Sequence, residues 1–299
     1  MTTIQNFATL PFLEALKAFF KTLNVPVDYI ADAPTTAEDI LYDKFNPNNE
    51  AHQLINEVYA LGMVNNAIFE GNTTFDNLEA VKEISADYEG LLIFGITLNS
   101  RPDGLLGGTP LPTRSQLAEI TRIFNRVFPY TPVTIVFKYD TYISFANSER
   151  VKYLQEWREG EKIGKVSLLR DINFTRVHAG HYRILNDLAI ARTGKNAINS
   201  FSELYKYWQN TLSVSILNKA FYGELQNWYF WAIQEVHFPN PPLRIDFSSD
   251  NDFDEALKEH KGKNVIRLLT RILFIWFIKE KGLIPEEIFD EKTIANQIL

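Results

Sequence analysis

Residues 131–146 read TPVTIVFKYDTYISFA, and how they are read decides the fold. β-Branched and aromatic residues fill both halves, so two strands joined by a tight turn near Tyr139 to Thr141 are expected. Immediately upstream, residues 113–128 (TRSQLAEITRIFNRVF) have helical spacing and a capping-box start. Thr113 can accept from the backbone amide three residues on while Gln116 reaches back, and Pro129 ends the helix. Before it, residues 91–99 (LLIFGITLN) form a short apolar run rich in β-branched residues, followed by the Gly- and Pro-dense RPDGLLGGTPLP. That pattern predicts a buried strand and a long loop. The order strand, helix, strand, strand defines a small α/β unit.

Outward from this unit, residues 12–23, 37–42 and 48–61 read as helices, with Asn48 or Asn49 capping the last. Residues 149–170 are highly charged, and Gly160 and Gly164 make them the best linker candidate. Beyond them, residues 180–191, 198–208 and 212–236 have helical spacing with aromatic stripes at Trp208, Trp228, Tyr229 and Trp231. The expected class is α+β: an α/β domain over residues 1–160 with an acidic helical start, then a mainly helical domain over 161–299. Residues 264–281 form the most clearly periodic helix. Val265, Ile266, Leu268, Leu269, Ile272, Leu273, Trp276 and Phe277 fall on one side at about 100° per residue, with Asn264, Arg267, Thr270 and Arg271 opposite. A membrane span needs about 20 apolar residues, and Arg267 and Arg271 interrupt a shorter run, so this reads as a core helix and no membrane partner is expected.

The chain has no cysteine, which excludes disulfides, thiolate metal sites and thiol nucleophiles. Together with a start, MTTIQNFATL, that lacks a basic and apolar leader, this makes a cytoplasmic location the expectation. Net charge is −7, yet residues 1–100 carry 14 acidic and 4 basic side chains while residues 101–195 carry 9 and 15. A phosphate-binding surface would lie in that middle third, with Arg114, Arg122 and Arg126 along one helix and Lys162 and Lys165 in the following linker as the candidate DNA contacts. Alternatively, the basic third packs against the acidic first third.

Motifs for chemistry are incomplete. Asn240-Pro241-Pro242-Leu243 imitates the motif with which adenine methyltransferases hold a flipped base, but Leu243 cannot stack and no strand with a Gly-rich loop precedes it. Lys138 could serve a Mg²⁺ nuclease as the lysine of Glu-x-Lys, but Val136 stands where the acid belongs. His178 and His181 are one helical turn apart, a metal-site spacing that lacks a placed third ligand. Thr193-Gly194-Lys195 departs twice from a phosphate loop, at Ala189 and Asn196. Trp228, Tyr229 and Trp231 suit either a core or the stacking of single-stranded bases. No catalytic, cofactor or metal residue is therefore assigned within the chain.

Three strings, VSLLRDINFTRVHAGHYRIL (166–185), LNKAFYGELQNWYFWAIQEVHFP (217–239) and RILFIWFIKEKGLIPEEIFD (271–290), carry a resemblance. Residues 165–299 are similar to the segment that leads into the methyltransferase domain of type IIG restriction-modification enzymes, which fuse a DNA adenine methyltransferase to an endonuclease and defend against foreign DNA. The resemblance implies a non-catalytic N-terminal portion, a helical spacer positioning a methyltransferase that lies outside this chain and contacting double-stranded DNA through its phosphates. S-adenosylmethionine and Mg²⁺ are implied for the whole enzyme. The reading from a different class is a stand-alone α/β plus helical scaffold that binds protein partners through its acidic third.

Overall fold

Strands buried on both faces lose the alternation of a half-exposed strand, and two segments here show that signature. The computed structural model describes residues 4–30, 32–74, 77–82, 90–99, 111–152, 161–212, 214–280, 283–284, 286–289 and 295. Its helices in chain order are α1 (Asn6–Thr9), α2 (Phe12–Thr22), α3 (Ala37–Leu41), α4 (Glu50–Gln53), α5 (Asn66–Phe69), α6 (Leu78–Lys82), α7 (Arg114–Val127), α8 (Ala179–Asp187), α9 (Phe201–Thr211), α10 (Val214–Glu235) and α11 (Asp250–Glu280). The strands are β1 (Asp28–Tyr29), β2 (Ile55–Asn65), β3 (Gly90–Leu98), β4 (Val133–Tyr139), β5 (Tyr142–Lys152) and β6 (Glu161–Asn173). The class is α+β.

All six strands form one mixed sheet in sequence order, antiparallel throughout except for the parallel pair β3–β4. Parallel neighbours need a crossover, and α7 supplies it. β3 and β4 are the doubly covered strands. Leu91, Ile93 and Val136 point to one core with α2 and α9. Leu92, Phe94, Ile96, Ile135 and Phe137 point to the other, with α3, α4 and α7. The result is a helix–sheet–helix sandwich over the first compact unit, Met1–Leu217; the second unit is Asn218–Leu299.

Two sequence expectations are corrected by this sheet. Residues 48–61 are not one helix: α4 makes a single turn capped by Asn49, and the chain then becomes β2. Ile55, Val58 and Val64 are β-branched, Gly62 costs a helix about 1 kcal/mol, and pairing along β3 settles the choice. Nor are residues 149–170 a linker. Residues 149–152 and 161–170 belong to β5 and β6, with Arg150 opposite Ile163 and Lys152 opposite Glu161, so a boundary between residues 160 and 161 would cut an antiparallel pair; Gly160 lies outside the described residues. The compact units divide at Leu217 and Asn218 instead. Of the charges that suggested a linker, the exposed Lys165 stands on β6, the edge strand, where charged side chains discourage pairing with other chains.

Gly62 lies where β1 crosses closest to β2. A Cβ there would sit 2.2 Å from the Asp28 carbonyl oxygen and 2.9 Å from its carbon, so backbone would have to move. Gly62→Ala is expected to destabilise the sheet by about 1–3 kcal/mol, the usual cost of overpacking. Urea denaturation checks this, and no change in midpoint would contradict the close approach.

Candidate functional site

The basic candidates are placed by two elements. α7 starts at its predicted capping box, with Thr113 Oγ1 accepting from Gln116 N–H and Gln116 Oε1 accepting from Thr113 N–H. Leu117, Ile120 and Phe124 are buried on the sheet side, and α3 and α4 pack on the same helix, leaving little of it free. Arg114 and Arg126 are exposed near opposite ends, about 18 Å apart at 1.5 Å per residue, while Arg122 between them is half-buried. Arg126 is 3.5 Å from Glu119 of the same helix. The arginines therefore do not line one continuous open ridge. Lys165 is exposed on β6; Lys162 pairs with Val151 through its backbone, and its side chain lies outside the described residues. Both lysines belong to the edge strand and not to a linker.

Lys138 has a packing role. Its ammonium donates to the Phe7 carbonyl at 2.8 Å and lies 5.8 and 5.6 Å from the Phe12 and Phe174 ring centres. Burial lowers its pKa, and the carbonyl and rings partly replace lost water. His178 accepts the Gly180 N–H at Nδ1 as the cap of α8, and its ring meets His181 edge-on at 6.0 Å. Among the described residues no group of three His, Cys, Asp or Glu side chains could hold a metal ion. Asn240 adopts φ 55° in an exposed bend, and Leu243 beside it is exposed.

A polar cluster that sequence pattern did not flag closes the end of β4. Residues 170 and 171 of β6 together face Ser144 of β5, a bulge in which Asp171 takes φ 56°. Tyr139 donates its phenolic proton to Asp171 Oδ1 at 2.7 Å, so the fully buried Ser144 hydroxyl donates to the phenol oxygen. Ser144 also accepts the Asp171 N–H at 3.1 Å. Burial first, then the Asp171 carboxylate, holds the Tyr139 pKa far above its ordinary value, so the phenol stays a donor. Arg170 pairs with Asp171 at 3.0 Å and donates to the Pro112 carbonyl just ahead of α7 at 2.8 Å. The cluster fixes the bulge and ties β6 to the start of α7.

The largest departure from expectation is in the second unit. The Tyr229 hydroxyl of α10 would come within 2.7 Å of a Cβ on Gly262 of α11, so the two helices approach closely there, and Ala232 and Val265 are buried. The rest of the anticipated core stripe is not buried. Ile266, Ile272, Leu273, Trp276 and Phe277 are exposed, and Phe274 is 63% exposed. Apolar side chains therefore face outward over most of α11 between residues 266 and 277, interrupted by the exposed Arg267, Thr270 and Arg271. On α10, Phe221, Trp228 and Trp231 are exposed as well, with Trp228 and Trp231 6.2 Å apart. Periodicity located this helix but could not reveal what surrounds it. So broad an apolar helix surface is ordinarily covered by protein or lipid, and none of the described helices is long and apolar enough to cross a membrane.

No protein family, curated protein or solved structure was found to match this chain.

Proposed function

We propose that this chain is a non-catalytic N-terminal portion of a DNA restriction-modification methylase, in which the α+β unit and the α10–α11 hairpin position a methyltransferase domain and contact DNA phosphates. The observation that supports the reading best is the exposed apolar surface of α11, because its residues 272–277 fall in one of the strings that resemble the lead into that domain in type IIG enzymes. Fully burying one Leu, Ile or Phe side chain contributes about 1.5–3 kcal/mol, so several of them on one helix supply the affinity a fixed domain junction needs.

The test is to add a purified adenine methyltransferase domain of a type IIG enzyme to the chain and follow amide exchange over residues 264–280. Protection gained there with a defined stoichiometry is the expected result. Protection confined to another surface, or none at all, would overturn the proposed role of α11.

DNA contact is the weaker and separate part of the reading. Arg114 and Lys165, the exposed cations free of the Glu119 pair, should give sequence-indifferent binding with dissociation constants of about 10⁻⁴–10⁻⁶ M. Arg114→Ala and Lys165→Ala should each flatten the slope of log K against log salt by about one unit while leaving stability nearly unchanged. An unaltered slope in both variants would remove these residues from the DNA surface.

A further inference from the structure

His52 is a buried histidine whose two ring nitrogens have very different surroundings. It sits in the single turn of α4, 3% exposed, with its ring stacked on Phe45 at 5.7 Å. Nδ1 accepts the Asn46 N–H at 3.0 Å, so Nδ1 carries the lone pair and the imidazole hydrogen resides on Nε2. Nε2 is enclosed and has no hydrogen-bond partner among the described residues. The site is built for the neutral ring. A second proton would go to Nδ1, where it would face the Asn46 N–H donor to donor, and it would leave a charge in an enclosed position.

We propose that His52 is an acid-sensitive latch holding α4 and the segment before it, residues 42–54, against α7. The charged groups that act on the ring from α7 are Glu119 and Arg126, which face each other at 3.5 Å. Glu119 favours an imidazolium and Arg126 opposes it, and both act less strongly than burial; Glu50, on the ring's own helix, is exposed. Burial then decides, and it holds the His52 pKa below 6.5. The closed segment thus prefers the neutral ring, whereas the open segment takes up a proton at the ordinary histidine value. Closure is fully favoured above pH 6.5 and weakens as pH falls below it, levelling off once His52 titrates in the closed form. Because α3 and α4 both pack on α7, release of α4 frees one flank of the helix that carries Arg122.

Hydrogen exchange of the full chain between pH 7.5 and 5, corrected for the intrinsic pH dependence, tests the latch. Protection of residues 46–54, relative to that of β4, should fall progressively as pH drops below 6.5 in the wild type. In His52→Gln, which keeps an acceptor for Asn46 without a titrating group, it should stay flat. Equal pH dependence in the two proteins, or none in the wild type, would overturn the proposal. Should His52→Gln fail to fold, the wild-type imidazole can be titrated through its nitrogen chemical shifts. A neutral Nε2–H tautomer that titrates below 6.5 supports the latch, and a pKa at or above 6.5 overturns it.

Discussion

Trp208→Ala is expected to lower the unfolding free energy of the α+β unit by about 4 kcal/mol, within the range for emptying an aromatic site in a packed core. Trp208 is fully buried on α9. Its ring meets Phe145 of β5 edge-on at 5.5 Å and lies 6.3 Å from Phe20 of α2, so one side chain joins both covering helices to the sheet. Its indole N–H donates to the Leu188 carbonyl at 3.0 Å. Alanine would therefore leave a cavity and take away that carbonyl's donor. Since whole domains are stable by only about 5–15 kcal/mol, the loss should be plain in the urea midpoint. Trp208→Phe, which keeps most of the volume and loses only the donor, should cost less than half as much. If the two substitutions cost the same, the hydrogen bond and not the packing dominates at this position.

The opposite balance is expected at Phe274. Replacing Phe274 and Ile266 together by Gln, a good helix former, should leave the stability of the chain within about 0.5 kcal/mol per site, as for other exposed positions. Both side chains are more than half exposed, so little native packing is lost. Association with the methyltransferase domain should nevertheless weaken by at least about thirtyfold, because apolar anchors of an interface are typically worth 2 kcal/mol or more. Titration calorimetry on the variant gives the binding loss and urea denaturation gives the stability. A stability loss above about 2 kcal/mol would place these residues in a core of this chain. Undiminished binding would remove them from the interface.

Legibility from sequence followed the physics of each element. α7 was readable to its first residue because a capping box is a local, reciprocal pair of hydrogen bonds at fixed spacing. The β4–β5 pair was readable because Asp140 tolerates the positive φ, 45°, that its two-residue turn imposes. β2 was misread as helix because Ile55, Val58 and Leu61 stand three residues apart, a helical spacing, and only pairing with β3 resolves the ambiguity. β6 was misread as linker because charge on a solvent-facing edge resembles charge in a flexible segment. The Tyr139, Ser144 and Asp171 cluster left no trace in the pattern, since it depends on a bulge in which a residue other than Gly adopts φ 56°. At α11 the end of the helix was legible, but it starts at Asp250 instead of near residue 264, and its apolar stripe was wrongly expected to be buried. Amphipathic spacing says which side chains seek cover, but the identity of the cover lies outside the segment that displays it.

The arrangement of the sheet also dictates an order of assembly. β1 to β3 and β4 to β6 are each runs of antiparallel neighbours. The two runs are sewn together only by the β3–β4 seam, where Leu92 faces Val133 across the whole α7 crossover. Such a seam rewards the chain only after a long loop has been closed, which makes it the slow event in topologies of this kind. α7 shortens that search. Once its capping box has nucleated the helix, much of the intervening chain is already compact, and Phe124 of α7 lies 5.0 Å from Phe94 of β3, ready to draw the crossover onto the sheet. Damage to that contact would retard folding, while damage at the outer strands would mainly hasten unfolding. The helix first noticed for its arginines is then, on its inner side, the tether that joins two antiparallel meanders into one sheet.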